Sequence, residues 1–266
     1  MWRATANFST YTNIVESLPK SANTITLAYN SIYDNINQTV WYQAQVGGRL
    51  GDMWGTGYQK NENGDFVIGK DGRYIVNNNL IKLGNYNPDF SVGLNNAFSY
   101  KNFNFSFLLD WRQGGKVVSR TLALAGVAGQ LKETENRPDA GIVAKGAVNV
   151  GTTDKPVYQP NTTAVSAETY YRMYYDRNHE ENNTYDASFV KIREIQFGYQ
   201  FPKSFLNDFF ESVNISLVGR NLYAFSKIPH FDPEQFGFQQ QKLVSGVEDM
   251  SYPTTRSFGF KLGVTF

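Results

Sequence analysis

Few residues in this chain have the type and spacing for acid–base or metal chemistry. There are two histidines, His179 and His230, and no cysteine. His179 opens the run 179–181 (His-Glu-Glu), but no second ligand lies at a useful spacing, so the run is interpreted as a solvated loop. The sequence contains no GxSxG, Walker or Rossmann motif. We therefore expect no enzyme activity, no bound metal and no cofactor.

One polar segment, residues 61–65 (Asn-Glu-Asn-Gly-Asp), resembles the start of a calcium loop. An EF-hand loop, however, needs acidic or amide ligands at fixed positions and a later Glu that closes the site. That spacing is absent from the sequence, so calcium is not the favoured interpretation.

Aromatic side chains in two predicted loops are the candidate contacts for a substrate or a protein partner. Flat rings offer a large contact area at a small cost in conformational entropy, which suits a sugar ring or a protein surface. Packing of the loops against each other explains any single ring better, and residue by residue we favour it. The six candidates are Tyr170, Tyr171, Tyr174, Tyr175, Phe231 and Phe236.

In the C-terminal stretch, residues 252–266, side chains alternate strictly between apolar and other types from Phe258 to the last residue. Successive side chains of a strand point to opposite faces, so this pattern predicts a strand with one apolar face. A membrane strand with lipid on one side and a wet lumen on the other has this pattern, and so does an amphipathic strand of a soluble sandwich. The expected lipid-facing residues are Phe258, Phe260, Leu262, Val264 and Phe266.

The composition favours membrane strands over a soluble enzyme. Charged residues make up 18% of the chain and aromatic residues 15%, whereas a soluble domain has roughly 25% charged residues. Mean hydropathy is −0.43, and no apolar run approaches the roughly 18 residues of a spanning helix. The net charge of +1 gives no basic field, so nucleic acid is not an expected partner.

The order of the predicted elements indicates how they are arranged. We predict about eight strands, including residues 39–46 and 52–58, and short helices within residues 117–132 and 166–176. Short and long connections alternate along the chain, which would place every long loop at one end of the sheet. A soluble sandwich has no reason to do this. The prediction is an all-β fold, an antiparallel transmembrane β-barrel segment with long extracellular loops that contain short helices.

Several stretches resemble a known family. The C-terminal landmarks are YDASFVKIREIQFGYQFPKSF, then VNISLVGRNLYAFSKIPHFDPE, then YPTTRSFGFKLGVTF. Their order and spacing, with the Gly-Arg-Asn-Leu and Asp-Pro-Glu segments, are similar to the C-terminal part of SusC/RagA-family TonB-dependent outer-membrane transporters of Bacteroidetes. Upstream stretches at 46–55, 61–75 and 83–115 resemble the same family, so the likeness covers essentially the whole chain.

The resemblance implies a 22-stranded barrel with an internal plug in the complete protein. It also implies a SusD-like surface lipoprotein as partner, a glycan or peptide substrate, outer-membrane lipid around the strands, and energy from the TonB complex. Residues 1–266 would be the C-terminal portion of the barrel, with the signal peptide, the plug and the N-terminal strands outside this sequence. Residue 1 is accordingly expected to open within a strand.

Two other interpretations remain open at this point. Eight strands can close a barrel alone, which would make the chain a self-contained outer-membrane protein with a structural or adhesive role. A soluble carbohydrate-binding β domain with aromatic platforms is the third interpretation.

Overall fold

The computed structural model describes residues 1–31, 39–206, 209–228, 230–235, 237–239 and 242–266. Within these ranges, no helix is both long enough and apolar enough to span a membrane. The two α-helices are α1 (Arg120–Val127) and α2 (Ala167–Tyr174), and short 3-10 helices cover Lys132–Glu135 and Lys203–Phe205. In chain order, the strands are β1 (Trp2–Ser9), β2 (Thr24–Ser31), β3 (Thr39–Gln45), β4 (Asp52–Gly55), β5 (Val67–Ile68), β6 (Ile81–Asn85), β7 (Phe90–Tyr100), β8 (Phe103–Gln113), β9 (Lys116–Ser119), β10 (Ile142–Val143), β11 (Ala147–Asn149), β12 (Tyr158–Pro160), β13 (Ala164–Val165), β14 (Thr184–Asp186), β15 (Phe189–Gln200), β16 (Ser212–Ser226), β17 (Gly237–Gln239), β18 (Lys242–Val244), β19 (Val247–Glu248) and β20 (Ser257–Thr265).

The largest element is a six-stranded antiparallel sheet in the order β1-β7-β8-β15-β16-β20. Each of these strands is predicted from the period-two alternation of its side chains, so the all-β part of the prediction is confirmed. In the part of the chain that the structure describes, β1 and β20 lie at the two edges and do not pair with each other.

One face of this sheet is apolar and exposed. The strand register aligns large apolar side chains in rows that run from edge to edge across neighbouring strands. Neighbouring rings in these rows are in contact: the Trp2 and Phe98 rings stack with their centroids 6.1 Å apart. One complete row consists of Trp2, Phe98, Phe105, Phe197, Leu217 and Phe260.

The connections between the six strands sort by length. The two short ones, residues 101–102 and 201–211, leave one end of the sheet, and Lys101 turns the first of them with φ 52°. The three long ones, residues 10–89, 114–188 and 227–256, all leave the opposite end. The sequence prediction that long connections share one end therefore holds for these six strands.

The prediction of eight strands in one sheet is wrong. Residues 39–45 and 52–55 form β3 and β4 of a separate four-stranded sheet, β2-β3-β4-β6. The alternation in β3 is real, but its apolar side chains Val40 and Tyr42 are buried in a protein core. A half-buried strand of a soluble layer and a membrane strand share the same period, so alternation alone does not separate them.

The three long connections meet in one core, and together we call them the loop body. A buried apolar cluster takes Val40, Tyr42, Met53 and Leu83 from the first connection, Val118 from the second and Val247 from the third. Strand β9 joins them further, since it pairs antiparallel with β14 and parallel with β19. The long connections are therefore packed together.

Both α-helices lie in the second long connection and begin at serine caps. Ser166 accepts a hydrogen bond from the backbone nitrogen of Thr169 at 3.2 Å, which confirms the predicted start of α2. Ser119 accepts one from Leu122 at 3.1 Å. The first helix is shorter than predicted: residues 117–119 pair in β9 instead, and the helix ends at Val127.

The shared core predicts that one substitution loosens all three long connections. Met53→Ala removes a fully buried side chain and should destabilise the loop body by about 2–5 kcal/mol. Hydrogen exchange should rise in β3, β9 and β19 together. Val150→Ala, at an exposed position of the second connection, is the matched control and should change none of them. Faster exchange confined to β3 and β4 would show that the connections are independent.

Candidate functional site on the polar face of the sheet

The polar face of the six-stranded sheet carries an ion-pair cluster that we call the charge clamp: Asp110, Lys191, Arg193, Asp232 and Glu234. Arg193 donates to both carboxylate oxygens of Glu234 at 2.6 Å each and to Asp110 at 2.9 Å. Lys191 donates to Glu234 at 2.5 Å and also to Asp232. Two cations from β15 therefore hold two acids of the third long connection against the sheet.

A β-bulge in β15 positions both cations. The register against β8 and against β16 shifts between Ile192 and Glu194. A bulge inserts one residue into one strand and reverses the parity of everything before it. Lys191 thereby lies opposite Asp110 on the polar face, and Arg193, the inserted residue, also reaches Asp110.

The turn that supplies the acids is itself fixed. Asp232 accepts hydrogen bonds from the backbone nitrogen of Glu234 at 2.9 Å and from the Thr254 hydroxyl at 2.8 Å. Burial opposes ionisation of Asp232, yet the bonds from Lys191, Glu234 and Thr254 outweigh it and hold the pKa below its usual range. In Glu234 burial is likewise outweighed, and Arg193 and Lys191 lower the pKa. Both acids are therefore ionised at neutral pH.

The clamp is built to hold a chain segment. Each of its carboxylates is engaged by a cation, and the Lys191 side chain is only 6% exposed. No group of three or more His, Asp or Glu side chains among the described residues is placed to hold a metal ion. In chemical terms the arrangement anchors a loop over the polar face.

A cavity of about 440 Å³ lies beside the clamp, between the third connection and β16. Its lining combines apolar and polar residues, and the polar ones include Lys191, Asn221, His230, Asp232 and Arg256. The His230 ring lies 3.0 Å from a carboxylate oxygen of Glu133, which connects the cavity wall to the second connection. Such a space suits a polar ligand or ordered water.

Five of the six predicted aromatic contacts are brought together, and they pack within the loop body. Tyr171 and Tyr175 are 8% and 7% exposed and lie in a core with Leu122 and Leu131. Tyr170, Tyr174 and Phe231 are partly buried against the same core. Phe236 lies outside the described residues. A contact between any of these rings and a substrate stays a prediction.

The interpretation of residues 179–181 as a solvated loop is wrong. Glu180 is 2% exposed and lies 3.6 Å from the Arg120 guanidinium. Burial raises the pKa of Glu180 to about 7, against the opposing effect of Arg120. Glu181 accepts a bond from the backbone of Tyr58 at 2.9 Å and pairs with Lys60 at 2.6 Å. These partners come from distant segments of the chain, so the local pattern of charges does not reveal them.

The C-terminal apolar row is open to its surroundings. Phe258, Phe260 and Leu262 are 78%, 73% and 62% exposed, and Phe266 is exposed too, while Val264 is the least exposed of the five. The neighbouring strand extends the same surface, with Leu217 opposite Phe260 and Ile215 opposite Leu262. Contact of this row with lipid stays a prediction.

The chain has relatives among known proteins. No protein-family model matches the chain. Over 189 residues, 69% of this chain, the sequence is 29% identical to TonB-dependent receptor P3 of Formosa agariphila. It is 27% identical over 221 residues, 77% of this chain, to TonB-dependent receptor P26 of the same organism. Its relatives are TonB-dependent receptors of Bacteroidetes. The resemblance found in the sequence is therefore confirmed.

Solved transporter structures share the fold. A chain in the structure of the RagAB peptide transporter aligns with 99% of this chain and 27% of its own length, with a TM-score of 0.57 and 15% identity. The RagAB peptide importer in its closed-closed state aligns with a TM-score of 0.56 and 14% identity. Likeness at this level of identity concerns the fold alone. The chain spans 17% and 19% of the length of the two TonB-dependent receptors from Formosa.

A substitution of one clamp residue tests whether the clamp holds the third connection to the sheet. Lys191→Met leaves Asp232 without a cation in a largely buried position, which should destabilise the attachment of the third connection by about 3–5 kcal/mol. Limited proteolysis of the folded protein should then cut faster within residues 227–256. Lys227→Met is the control, since Lys227 is 77% exposed and 3.5 Å from Asp186, and it should cut like the wild type. Equal protection in both variants would mean that the clamp does not hold the loop.

Proposed function

We propose that this chain supplies membrane strands and outer loops of a SusC-like TonB-dependent outer-membrane importer of glycans or peptides. The observation that carries the proposal is the six-stranded sheet itself. It has one exposed apolar face, one charged face, and all three long connections at a single end.

The strands of the sheet have the length and the two-faced pattern that membrane strands require. A tilted strand needs about 9–11 residues to cross the hydrocarbon layer, and β7 and β8 have 11 residues each. Rows of exposed rings suit lipid on one side, while the charge clamp suits a wet lumen on the other. In hydrocarbon, every backbone hydrogen-bonding group must be paired, so β1 and β20 need neighbouring strands of the complete protein.

The ends of the sheet indicate the orientation. Outer-membrane barrels have short periplasmic turns and long extracellular loops, so the loop body would lie outside the cell. A SusD-like surface lipoprotein would dock on the loop body, and the substrate would pass the cavity beside the clamp. The TonB complex would act on a part of the receptor that lies outside this sequence.

The two other interpretations fit the geometry less well. A self-contained barrel would need its edges to close, whereas the described β1 and β20 lie apart at opposite edges. A soluble β domain would need a second layer over its apolar face. The exposed rings of Phe258 and Phe260 have no such layer among the described residues.

Labelling of whole cells tests the orientation. Cysteines introduced at Glu62 and Asp154, exposed positions of the first two long connections, should react with a membrane-impermeant maleimide. A cysteine at Ser204, exposed in the short 201–211 turn, should react only after the outer membrane is opened. Labelling of Ser204→Cys alone on intact cells would invert the topology and refute the proposal.

A pair of neighbouring substitutions tests the lipid face. Leu262→Arg places a charge on the apolar face and should cost about 2–4 kcal/mol near the bilayer midplane. Lys261→Leu changes the opposite face and should cost little. The amount of folded receptor in outer-membrane fractions, measured by heat-modifiable migration, should fall for the first variant and not for the second. Equal losses would show that the faces are assigned wrongly.

A further inference from the structure

A second cavity, of about 430 Å³, lies in the loop body away from the charge clamp. Three arginines from separate positions converge on it: Arg73 follows a glycine turn of the first connection, Arg172 lies on α2, and Arg177 follows α2. Thr169, Met173 and Asn178 also line it.

The first two arginines have weak partners. Arg172 pairs with Glu168 at 2.9 Å, where the two side chains are 60% and 76% exposed. Arg73 lies 3.9 Å from Asp71, with exposures of 61% and 65%. Ion pairs this exposed contribute little to stability, because solvent screens both charges. An incoming anion can therefore replace Glu168 or Asp71 at little cost.

The third arginine has no close partner. Arg177 makes no hydrogen bond or ion pair with any other residue in the described ranges, and its charge acts on Asp249 only at longer range. The one carboxylate in the lining, Asp176, is already engaged. It accepts from the backbone of Asn178 at 2.9 Å and faces the His179 ring nitrogen at 2.9 Å. The cavity is thus lined by three arginines and by one carboxylate that is already engaged.

We propose that this cavity binds a carboxylate or sulfate group of the imported substrate. Guanidinium groups present paired N–H donors whose spacing matches the oxygens of such anions. An anion held among the three arginines would gain charge-assisted hydrogen bonds from them. The Thr169 hydroxyl can contact a neighbouring polar group of the same ligand. That the ligand is the substrate rests on the proposed function, whereas anion binding does not.

Calorimetry on the complete receptor, purified from outer membranes in detergent, tests the site. The probes are trigalacturonate, a sulfated carrageenan oligosaccharide, triglutamate and neutral maltotriose. At least one anionic probe should bind and maltotriose should not. The double variant Arg73→Gln/Arg177→Gln should bind that probe about tenfold or more weakly, as the loss of charge-assisted hydrogen bonds requires. The matched control Lys145→Gln/Lys155→Gln removes the same charge elsewhere and should bind normally.

The outcomes separate the possible sources of the anion. Preference for one probe assigns a uronic, a sulfated or a peptide carboxylate source. Arg177→Lys keeps the charge but loses the planar fork, so it should bind at an intermediate level. Unchanged binding by the arginine double variant, or no binding of any anionic probe, would overturn the proposal. Anion binding with inverted cysteine labelling would refute the importer topology and leave the site intact.

Discussion

The parity of side chains along β15 is the constraint on which the rest of the structure depends. An uninterrupted alternation would place Lys191 and Arg193 in the same row as Ile195 and Phe197, on the apolar face. The bulge at residue 193 moves both cations to the polar face and puts Ile192 opposite Leu109. Without it, two charges would lie among exposed rings, and the acids of the third connection would have nothing to bind. One inserted residue therefore keeps one face of the sheet apolar and gathers the charges on the other face.

The loop body owes its core to the packing of long connections against one another. Val40, Val118 and Val247 come from three different connections and meet in one cluster. Nearby, Arg120 of the second connection donates to the backbone oxygen of Asn30 at 2.9 Å and lies 4.0 Å from Asp249. The second connection also has buried residues of its own, around Leu122 and Tyr171, but this cluster needs all three connections. A partner that touches this surface would meet a preformed shape.

Local pattern is sufficient for the strands and for the start of α2, because alternation and helix caps extend over only a few residues. The six long strands, the apolar rows on one face of their sheet and the position of all long connections at one end follow from such local signals. The number of strands in the sheet does not follow from them. The apolar side chains of β3 alternate because they pack into a core with residues far along the chain. The buried state of Glu180 depends on Arg120 in the same way. One local signal does point to the clamp: strict alternation would put Lys191 and Arg193 in the apolar row of Ile195 and Phe197.

The charge clamp attaches the third connection to the sheet, Glu180 lies buried in the second connection, and pH acts on these two places in opposite directions. Asp232 and Glu234 have lowered pKa values, so the clamp contributes its stability above the unfolded pKa and loses it as pH falls through the folded one. Glu180 has a pKa raised to about 7, so its neutral form favours the loop body at low pH and that contribution is lost as pH rises through 7. Acid therefore loosens the loop from the sheet while it relieves a buried charge inside the loop body. The lowered pKa values keep Asp232 and Glu234 ionised near neutral pH, so the attachment to the sheet is retained in the range where Glu180 loses its neutral form.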